Sequence, residues 1–208
     1  MAIRDMHDAI LWESLEKTGV DRRDEETLIR VVDEAKDLHA VWCATILLRT
    51  CGTERCIPCL KRAMYYPKTD VKITSLHTIS MIAGDSEADL YLAALGDTKF
   101  PDKFTAVQCI VQHCGERGIE PICGRAKKIL RGERTRVAYN RDHSELTTAL
   151  CYLDGWREGN PAIQDLFGSV LDQWDRLEMR EQTKLTAELS FFRENAPRKE
   201  EEDDRIRL

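Results

Sequence analysis

The sequence contains no long hydrophobic run, and this absence argues against a membrane-spanning helix. Its longest apolar stretches, near residues 44–48, fall far short of the roughly 20 residues that a helix needs to cross a bilayer. The N-terminal segment MAIRDMHDAILWESLEK carries acidic residues from Asp5 onward and lacks the apolar centre of a secretory signal. We therefore expect a cytoplasmic protein with no membrane partner.

The sequence also lacks an excess of positive charge. Its 31 Lys and Arg residues are outnumbered by 37 Asp and Glu residues, which gives a formal net charge of −6. This balance argues against a protein that coats itself with nucleic acid or anionic lipid. Hydrophobic residues make up 42% of the chain and charged residues 33%, so a packed core is expected.

A recognisable catalytic motif is missing as well. No Gly-rich phosphate loop, no nucleophile beside a base and no cluster of carboxylates stands out along the chain. The five histidines are scattered, and His77 and His113 fall on different helix faces. We predict a protein that is not an enzyme and has no cofactor.

The glycines show the internal organisation of the chain. Gly52, Gly84, Gly115 and Gly155 follow one another at spacings of 32, 31 and 40 residues, which indicates a structural repeat. The residues 8, 5, 4 and 1 positions before each glycine are mostly apolar and trace one face of an α-helix. Each glycine is predicted to end that helix in a left-handed conformation.

A second helix is predicted after each glycine. The sixth residue after it is Pro58, Leu90, Pro121 or Pro161, and proline suits the first turn of a helix. Positions 8 and 11 after the glycine are again small or apolar, as the buried face of a helix requires. No stretch shows sustained strand-like alternation, so the repeating unit is helix, turn, helix.

The segments ATILLRTCGTERCIPCLKRA, DVKITSLHTISMIAGDSEADLYLAAL and KFTAVQCIVQHCGERGIEPICGRA resemble HEAT repeats of the short bacterial type. The resemblance is clear over residues 38–131 and extends with less force over 144–170. It implies an all-α, right-handed α-solenoid of about four to five helical hairpins, in which neighbouring units stack to bury their apolar faces.

The remaining segments complete the predicted domain plan. Residues 1–37 are expected to form an N-terminal helical cap and 38–170 the HEAT-like repeats, with a polar insertion at 131–143. C-terminal capping helices are expected over 171–195, including one long helix in MREQTKLTAELSFFREN. The last segment, 196–208, is almost entirely charged and predicts a disordered tail.

The chain contains eight cysteines, and three roles are considered for them: metal binding, redox chemistry and burial in the core. Cys56 and Cys59 form one C-x-x-C pair, but no second pair with the spacing of a zinc site follows, and a thioredoxin-like βαβ setting is absent. Most cysteines occupy positions that other repeats fill with Ala, Leu or Ile. We therefore predict that they are reduced, buried packing residues, with a metal site as the alternative.

The candidate binding surface follows from the HEAT resemblance, since second helices line the concave groove of HEAT arrays. Positions 9, 10 and 13 after each glycine are left over once the core positions are assigned, and the side chains there suit partner recognition. We predict seven partner-binding residues: Lys61, Arg62, Tyr65, Asp97, Arg125, Lys128 and Asp165. The alternative is an ordinary solvated helix face, and the same choice applies to the basic segment 125–141.

Three functions remain open from the sequence. The leading hypothesis is a non-catalytic scaffold that binds another protein, and its resemblance to compact bacterial HEAT-like proteins implies an adaptor or an immunity protein that neutralises a toxin or effector. A second is a nucleic-acid-binding or base-repair protein in which seven cations contact phosphates: Lys61, Arg62, Arg125, Lys128, Arg131, Arg134 and Arg136. The third is a lyase-type assembly subunit, similar to the phycobilisome lyase HEAT-like proteins.

Overall fold

The described residues fold into helices connected by short turns. The computed structural model describes residues 3–20, 22–132 and 144–197, and within these ranges it contains no strand. None of the described helices is long and apolar enough to span a membrane. The helices, in chain order, are α1 (Ile3–Glu16), α2 (Glu25–Glu34), α3 (Leu38–Cys51), α4 (Ile57–Ala63), α5 (Thr69–Ala83), α6 (Ala88–Gly96), α7 (Lys103–His113), α8 (Ile119–Leu130), α9 (Glu145–Asp154), α10 (Pro161–Leu171), α11 (Met179–Glu188) and α12 (Ser190–Asn195).

The chain divides into two compact units, Met1–Gly118 and Ile119–Leu208. The first unit contains α1 to α7. The segment predicted as an N-terminal helical cap contains two helices, α1 and α2, and each packs against α3. Asp24 caps α2 by accepting a hydrogen bond from the backbone N–H of Thr27 at 2.8 Å, which satisfies one of the donors that the helix start leaves open.

Successive first helices contact each other in the first unit. Helix α3 packs against α5 and α5 against α7, while α4 contacts α5 and α6 contacts α7. The residues that lie 8 and 5 positions before the glycines form the centre of this packing and are at most 1% exposed: Ala44, Leu47, Leu76, Ile79, Val107 and Ile110. The buried face predicted for the first helices is therefore confirmed at these two positions, whereas one position before the glycine Cys51 is exposed and Ala83 is half-buried.

The four repeat glycines do not share one conformation. Gly84 and Gly115 have positive φ angles of 52° and 48°, as predicted. Gly52 (φ −76°) and Gly155 (φ −62°) do not, so the prediction is wrong for these two. Gly52 has a different reason to lack a side chain, because a Cβ atom there would lie 2.4 Å from the Leu48 carbonyl oxygen and 3.0 Å from the Cys56 sulfur.

Helix α6 is rotated relative to the predicted register. Leu92 and Leu95 were expected in the core but are only half-buried, whereas their neighbours Tyr91 and Ala94 are 0% and 4% exposed. The Tyr91 hydroxyl donates to the Gly84 carbonyl oxygen at 2.9 Å, and burial raises the pKa of this phenol. The hydroxyl that the ring carries into the core donates to a backbone carbonyl there, so the polar end of the buried side chain has a hydrogen-bond partner.

The second unit begins at α8. Helix α8 packs against α9 and α10, and α9 contacts α11. Pro161 is the first residue of α10, as predicted, and the Asn160 side chain caps this helix. The interior of the second unit is apolar and includes Leu150, Ile163, Leu166 and Phe167, each 0% exposed.

The single helix predicted over 179–195 is divided in two. Leu189 has an extended backbone (φ −114°, ψ 118°) between α11 and α12, and the break turns Phe192 into the core. There the Phe192 ring stacks on Phe167 and Trp174, with ring centroids 5.1 and 5.6 Å apart. The predicted insertion and charged tail lie largely outside the described residues, which omit 133–143 and 198–208.

Candidate protein-binding surface

The seven predicted partner-binding residues fall into two groups that belong to different units. Lys61, Arg62, Tyr65 and Asp97 are in the first unit, and Arg125, Lys128 and Asp165 are in the second. Each group is considered within its own unit.

Arg62 is held by a carboxylate of the neighbouring helix. Its Nε atom donates to Asp33 Oδ1 at 3.0 Å and its Nη2 atom to Asp33 Oδ2 at 2.7 Å, so the contact is bidentate. The hydrogen bonds to Asp33 raise the pKa of the Arg62 guanidinium. Since the Arg62 side chain is 57% exposed, the pair fixes an orientation at the surface and adds little to stability.

Two further ion pairs continue this arrangement through the first unit. Lys61 Nζ lies 2.5 Å from Oε1 of Glu87, the residue directly before α6. Asp89 on α6 pairs with Arg117 in the turn that follows α7. We call the three pairs Asp33–Arg62, Lys61–Glu87 and Asp89–Arg117 the ion-pair ladder. Each pair joins residues about one repeat apart in the sequence. Within the ladder, the two predicted cations of α4, Lys61 and Arg62, are each paired with a carboxylate of a neighbouring element.

Tyr65 is the aromatic residue of the predicted site. It lies in the turn after α4 and is 84% exposed. The adjacent Tyr66 behaves differently, because its hydroxyl donates to the Val32 carbonyl oxygen at 2.6 Å. Asp97 is also exposed, but its carboxylate accepts from the backbone N–H of Lys99 at 2.8 Å and thereby shapes the turn after α6. Tyr65 is thus the predicted residue best placed to contact a partner.

Arg125 is the predicted residue with the least accessible charge. Its Nε and Nη2 atoms donate to Glu145 Oε1 and Oε2 at 2.5 and 2.9 Å, and the two side chains are 10% and 5% exposed. The sequence separation of 20 residues between them spans the insertion, which is why the pairing could not be predicted from the repeat period. A guanidinium that is buried and already paired has little to offer to a partner.

The other cations of α8 are arranged differently. Lys127, Lys128 and Arg131 are all exposed near its C-terminal end. Across the described parts of the chain, none of the three has a carboxylate partner. Cations at this position complement the helix dipole, and they also leave positive charge available to a ligand. Asp165 on α10 is exposed too, so Lys128 and Asp165 remain accessible predicted contacts.

The C-x-x-C pair lies at the start of α4, with Cys56 directly before the helix and Cys59 in its first turn, and both residues are buried. The Cys56 thiol donates to the Thr53 carbonyl oxygen and the Cys59 thiol to that of Cys56, each at 3.0 Å. Burial raises the pKa of Cys56 to about 11 and that of Cys59 to about 12. Protonated thiols are poor nucleophiles and poor metal ligands. Within residues 3–20, 22–132 and 144–197, no group of three or more potential ligands is close enough to hold a metal ion.

The packing prediction is confirmed for most cysteines but not for all. Six are buried, whereas Cys151 is half-buried and Cys51 is exposed. Cys51 was assigned to a helix-face position shared with Ala83 and Cys114, but it is the last residue of α3, where the end of the helix opens to solvent.

A histidine next to a cysteine occurs on α3, a juxtaposition that the repeat pattern did not reveal. His39 Nε2 lies 3.6 Å from the Cys43 sulfur and 3.4 Å from the Ser14 hydroxyl oxygen. Burial raises the pKa of the Cys43 thiol, which is 0% exposed. A nucleophile needs an accessible, ionised thiol, so this cluster is a hydrogen-bonded packing contact between α1 and α3.

Comparison with known proteins leaves the class undecided. No protein-family model matches the chain, and the search of curated proteins found no match either. The two-unit, all-helical structure and the geometry of its surface residues therefore carry the functional argument.

Proposed function

We propose that the chain is a non-catalytic, HEAT-like scaffold that binds another protein through its second helices. In this proposal the helical pairs stack as a right-handed solenoid, and the partner contacts the face that carries Lys61, Arg62 and Tyr65. We propose that the chain acts in the cytoplasm as an adaptor or as a bacterial immunity protein. Its partner would be a toxin or effector that binds this surface.

The observation that carries the proposal is the exposure of Tyr65. A tyrosine ring offers a large, rigid contact area, and Tyr and Arg are enriched among the residues that dominate binding energy. Tyr65 is 84% exposed and follows Arg62, whose guanidinium is already oriented by Asp33. A pre-oriented side chain loses less conformational freedom when a partner binds.

Site-specific photo-crosslinking in the native cell tests this proposal. A photoreactive phenylalanine analogue replaces Tyr65 in the full chain, and the same analogue replaces Met179 as a control. Met179 is 71% exposed and belongs to the second unit, so it matches Tyr65 in accessibility but not in location. We expect a discrete protein adduct at position 65 that is weak or absent at position 179. Irradiation without any protein adduct at position 65 argues against a binding role for this surface.

Nucleic-acid binding is the second candidate, and the accessible Lys127, Lys128 and Arg131 favour it. Among the seven cations predicted to contact phosphates, Lys61, Arg62 and Arg125 are paired with carboxylates, while Arg134 and Arg136 lie outside the described residues. Retention on immobilised DNA or RNA that falls steeply between low and moderate salt would support this candidate. No retention at low salt would eliminate it.

A further inference from the structure

An apolar cleft lies between α8 and α10, entirely within the second unit. Its volume is about 270 Å³ and it opens to solvent. This is below the roughly 300–1,000 Å³ of sites that enclose a drug-sized ligand. The walls are formed mainly by small and apolar side chains, namely Ile119, Cys123, Gly124, Ala162 and Ile163. The size and lining suit one bulky apolar side chain from a larger molecule.

The structure gives no internal reason for glycine at position 124. Gly124 lies in the middle of α8, where glycine weakens a helix relative to alanine. Its φ angle is not positive, and a Cβ atom added there would meet no atom within 4 Å. The missing side chain therefore relieves no clash and permits no special turn. Its structural consequence is that this side of α8 stays open to solvent at the cleft.

The charge at the edge of the cleft indicates the character of the occupant. Lys127 lines the cleft one helical turn beyond Cys123 and Gly124, and Lys128 and Arg131 follow it. In contrast to Lys61, Arg62 and Arg125, these three cations have no carboxylate partner among the described residues. Glu120 lies in the first turn of α8, so the acidic and basic residues beside the cleft stand at opposite ends of the helix.

We propose that this cleft holds a bulky aliphatic or aromatic side chain of a protein partner, next to which the partner carries Asp or Glu residues facing Lys127. The inference rests on the proposed protein-binding function and names the chemistry of the partner. Burial of an apolar side chain in a small pocket supplies affinity, and an adjacent charge pair supplies direction and specificity. The walls contain no aromatic ring on which a base could stack, which favours protein over nucleic acid.

Peptide selection on the full-length chain tests the proposal. A library of random linear peptides is enriched on the immobilised protein, and the affinities of the selected peptides are measured by fluorescence anisotropy. We expect an enriched pattern in which a Leu, Ile, Met, Phe or Trp residue stands beside Asp or Glu. Gly124→Leu fills the cleft from α8 and should weaken binding of such a peptide about tenfold or more.

Two matched controls accompany that variant. Gly168→Leu changes another mid-helix glycine whose added Cβ meets nothing within 4 Å and which does not line the cleft, so affinity should stay within about twofold. Lys127→Glu should weaken peptides with flanking acids and favour peptides with flanking Lys or Arg. Lys99→Glu makes the same change in charge on the first unit and should leave that preference unaltered. Circular dichroism of each variant establishes that the helices are retained.

The outcomes separate the cleft from the proposed function. Selected peptides that lose affinity with Tyr65→Ala but not with Gly124→Leu would overturn the cleft assignment and leave the binding function standing. Peptides that match a segment of this chain would assign the cleft to self-association instead of a partner. If no peptide is enriched, the cleft assignment is contradicted, whereas the proposed function is decided separately by the crosslink at position 65.

Discussion

Arg125 and Glu145 form a bidentate ion pair in which both side chains are at least nine-tenths buried, with Nε to Oε1 at 2.5 Å. The pair links α8 to the first residue of α9 and so joins the two ends of the segment that contains the insertion. A charged residue that was predicted to face a partner is thus part of the interior of the second unit.

Removing one member of this pair should destabilise the protein strongly. Arg125→Met leaves the Glu145 carboxylate buried without its partner, and we expect a loss of about 3–5 kcal/mol in the free energy of unfolding, measured by denaturant titration. The double variant Arg125→Met/Glu145→Leu should recover most of this loss, because no unpaired charge remains. Arg62→Met, which breaks an exposed pair of the same type, serves as the control and should change stability much less. Equal losses for Arg125→Met and Arg62→Met would contradict the burial of the Arg125 pair.

Gly52 and Gly155 should respond differently to the same substitution. At Gly52 a methyl group would lie 2.4 Å from the Leu48 carbonyl oxygen, whereas at Gly155 the nearest atom, the Tyr152 carbonyl oxygen, is 3.7 Å away. We expect Gly52→Ala to lower the free energy of unfolding by about 1–3 kcal/mol or more, and Gly155→Ala to be close to neutral. Thermal denaturation followed by circular dichroism measures both. A neutral Gly52→Ala would show that the backbone at the end of α3 is not held as described.

These two glycines also show what the sequence could and could not predict. The period of the apolar residues located the buried faces of the first helices, because 3.6 residues per turn constrain which positions point the same way. The same period assigned one conformation to all four glycines, since spacing carries no information on φ angles. Gly52 lacks a side chain because of a close approach across a turn, which depends on tertiary structure.

The candidate surface was harder to predict than the fold for a related reason. Adjacent positions on a helix differ by about 100° in direction, so an error of one residue in the predicted register exchanges Leu92 and Leu95 for the buried Tyr91 and Ala94. Charge partners such as Asp33 for Arg62 belong to neighbouring helices. A sequence shows that a position is charged, but whether that charge is paired depends on packing between helices.

His77 should make stability depend on pH in the acidic range. Burial and the nearby Arg49 lower the pKa of His77 from 6.5 to about 4. Between these pH values the unfolded chain binds a proton at His77 that the folded chain does not bind. The stability that the protein has with His77 neutral is therefore fully present above about pH 6.5 and is lost as the pH falls towards 4.

The variant His77→Gln isolates this contribution from that of the many carboxylates. Solvent reaches part of the ring, so we expect the wild type to lose on the order of 1–3 kcal/mol more than the variant when the pH falls from about 7 to about 4. Denaturant titrations at several pH values measure the difference. Parallel pH profiles for the two proteins would rule out a neutral, buried His77.

The cysteines should differ widely in reactivity. In the native protein near pH 7 we expect Cys51, which is exposed, to be alkylated by iodoacetamide first. Cys56 and Cys59 should react only after denaturation, because both are buried and their pKa values are raised to about 11 and about 12. Mass spectrometry of peptides after timed alkylation gives the order. Rapid native labelling of Cys59 would contradict the packing of α4.

The most direct test of the account uses the partner that is captured at Tyr65. Isothermal titration calorimetry measures the affinity of that partner for the full chain. Truncation of a residue that dominates an interface costs about 2 kcal/mol or more, and tyrosine is enriched among such residues, so we predict that Tyr65→Ala weakens binding about tenfold or more. Met179→Ala, the control at an exposed position of the second unit, should leave the dissociation constant unchanged. Equal affinities of wild type and Tyr65→Ala would contradict the proposal that the second helices of the first unit bind the partner.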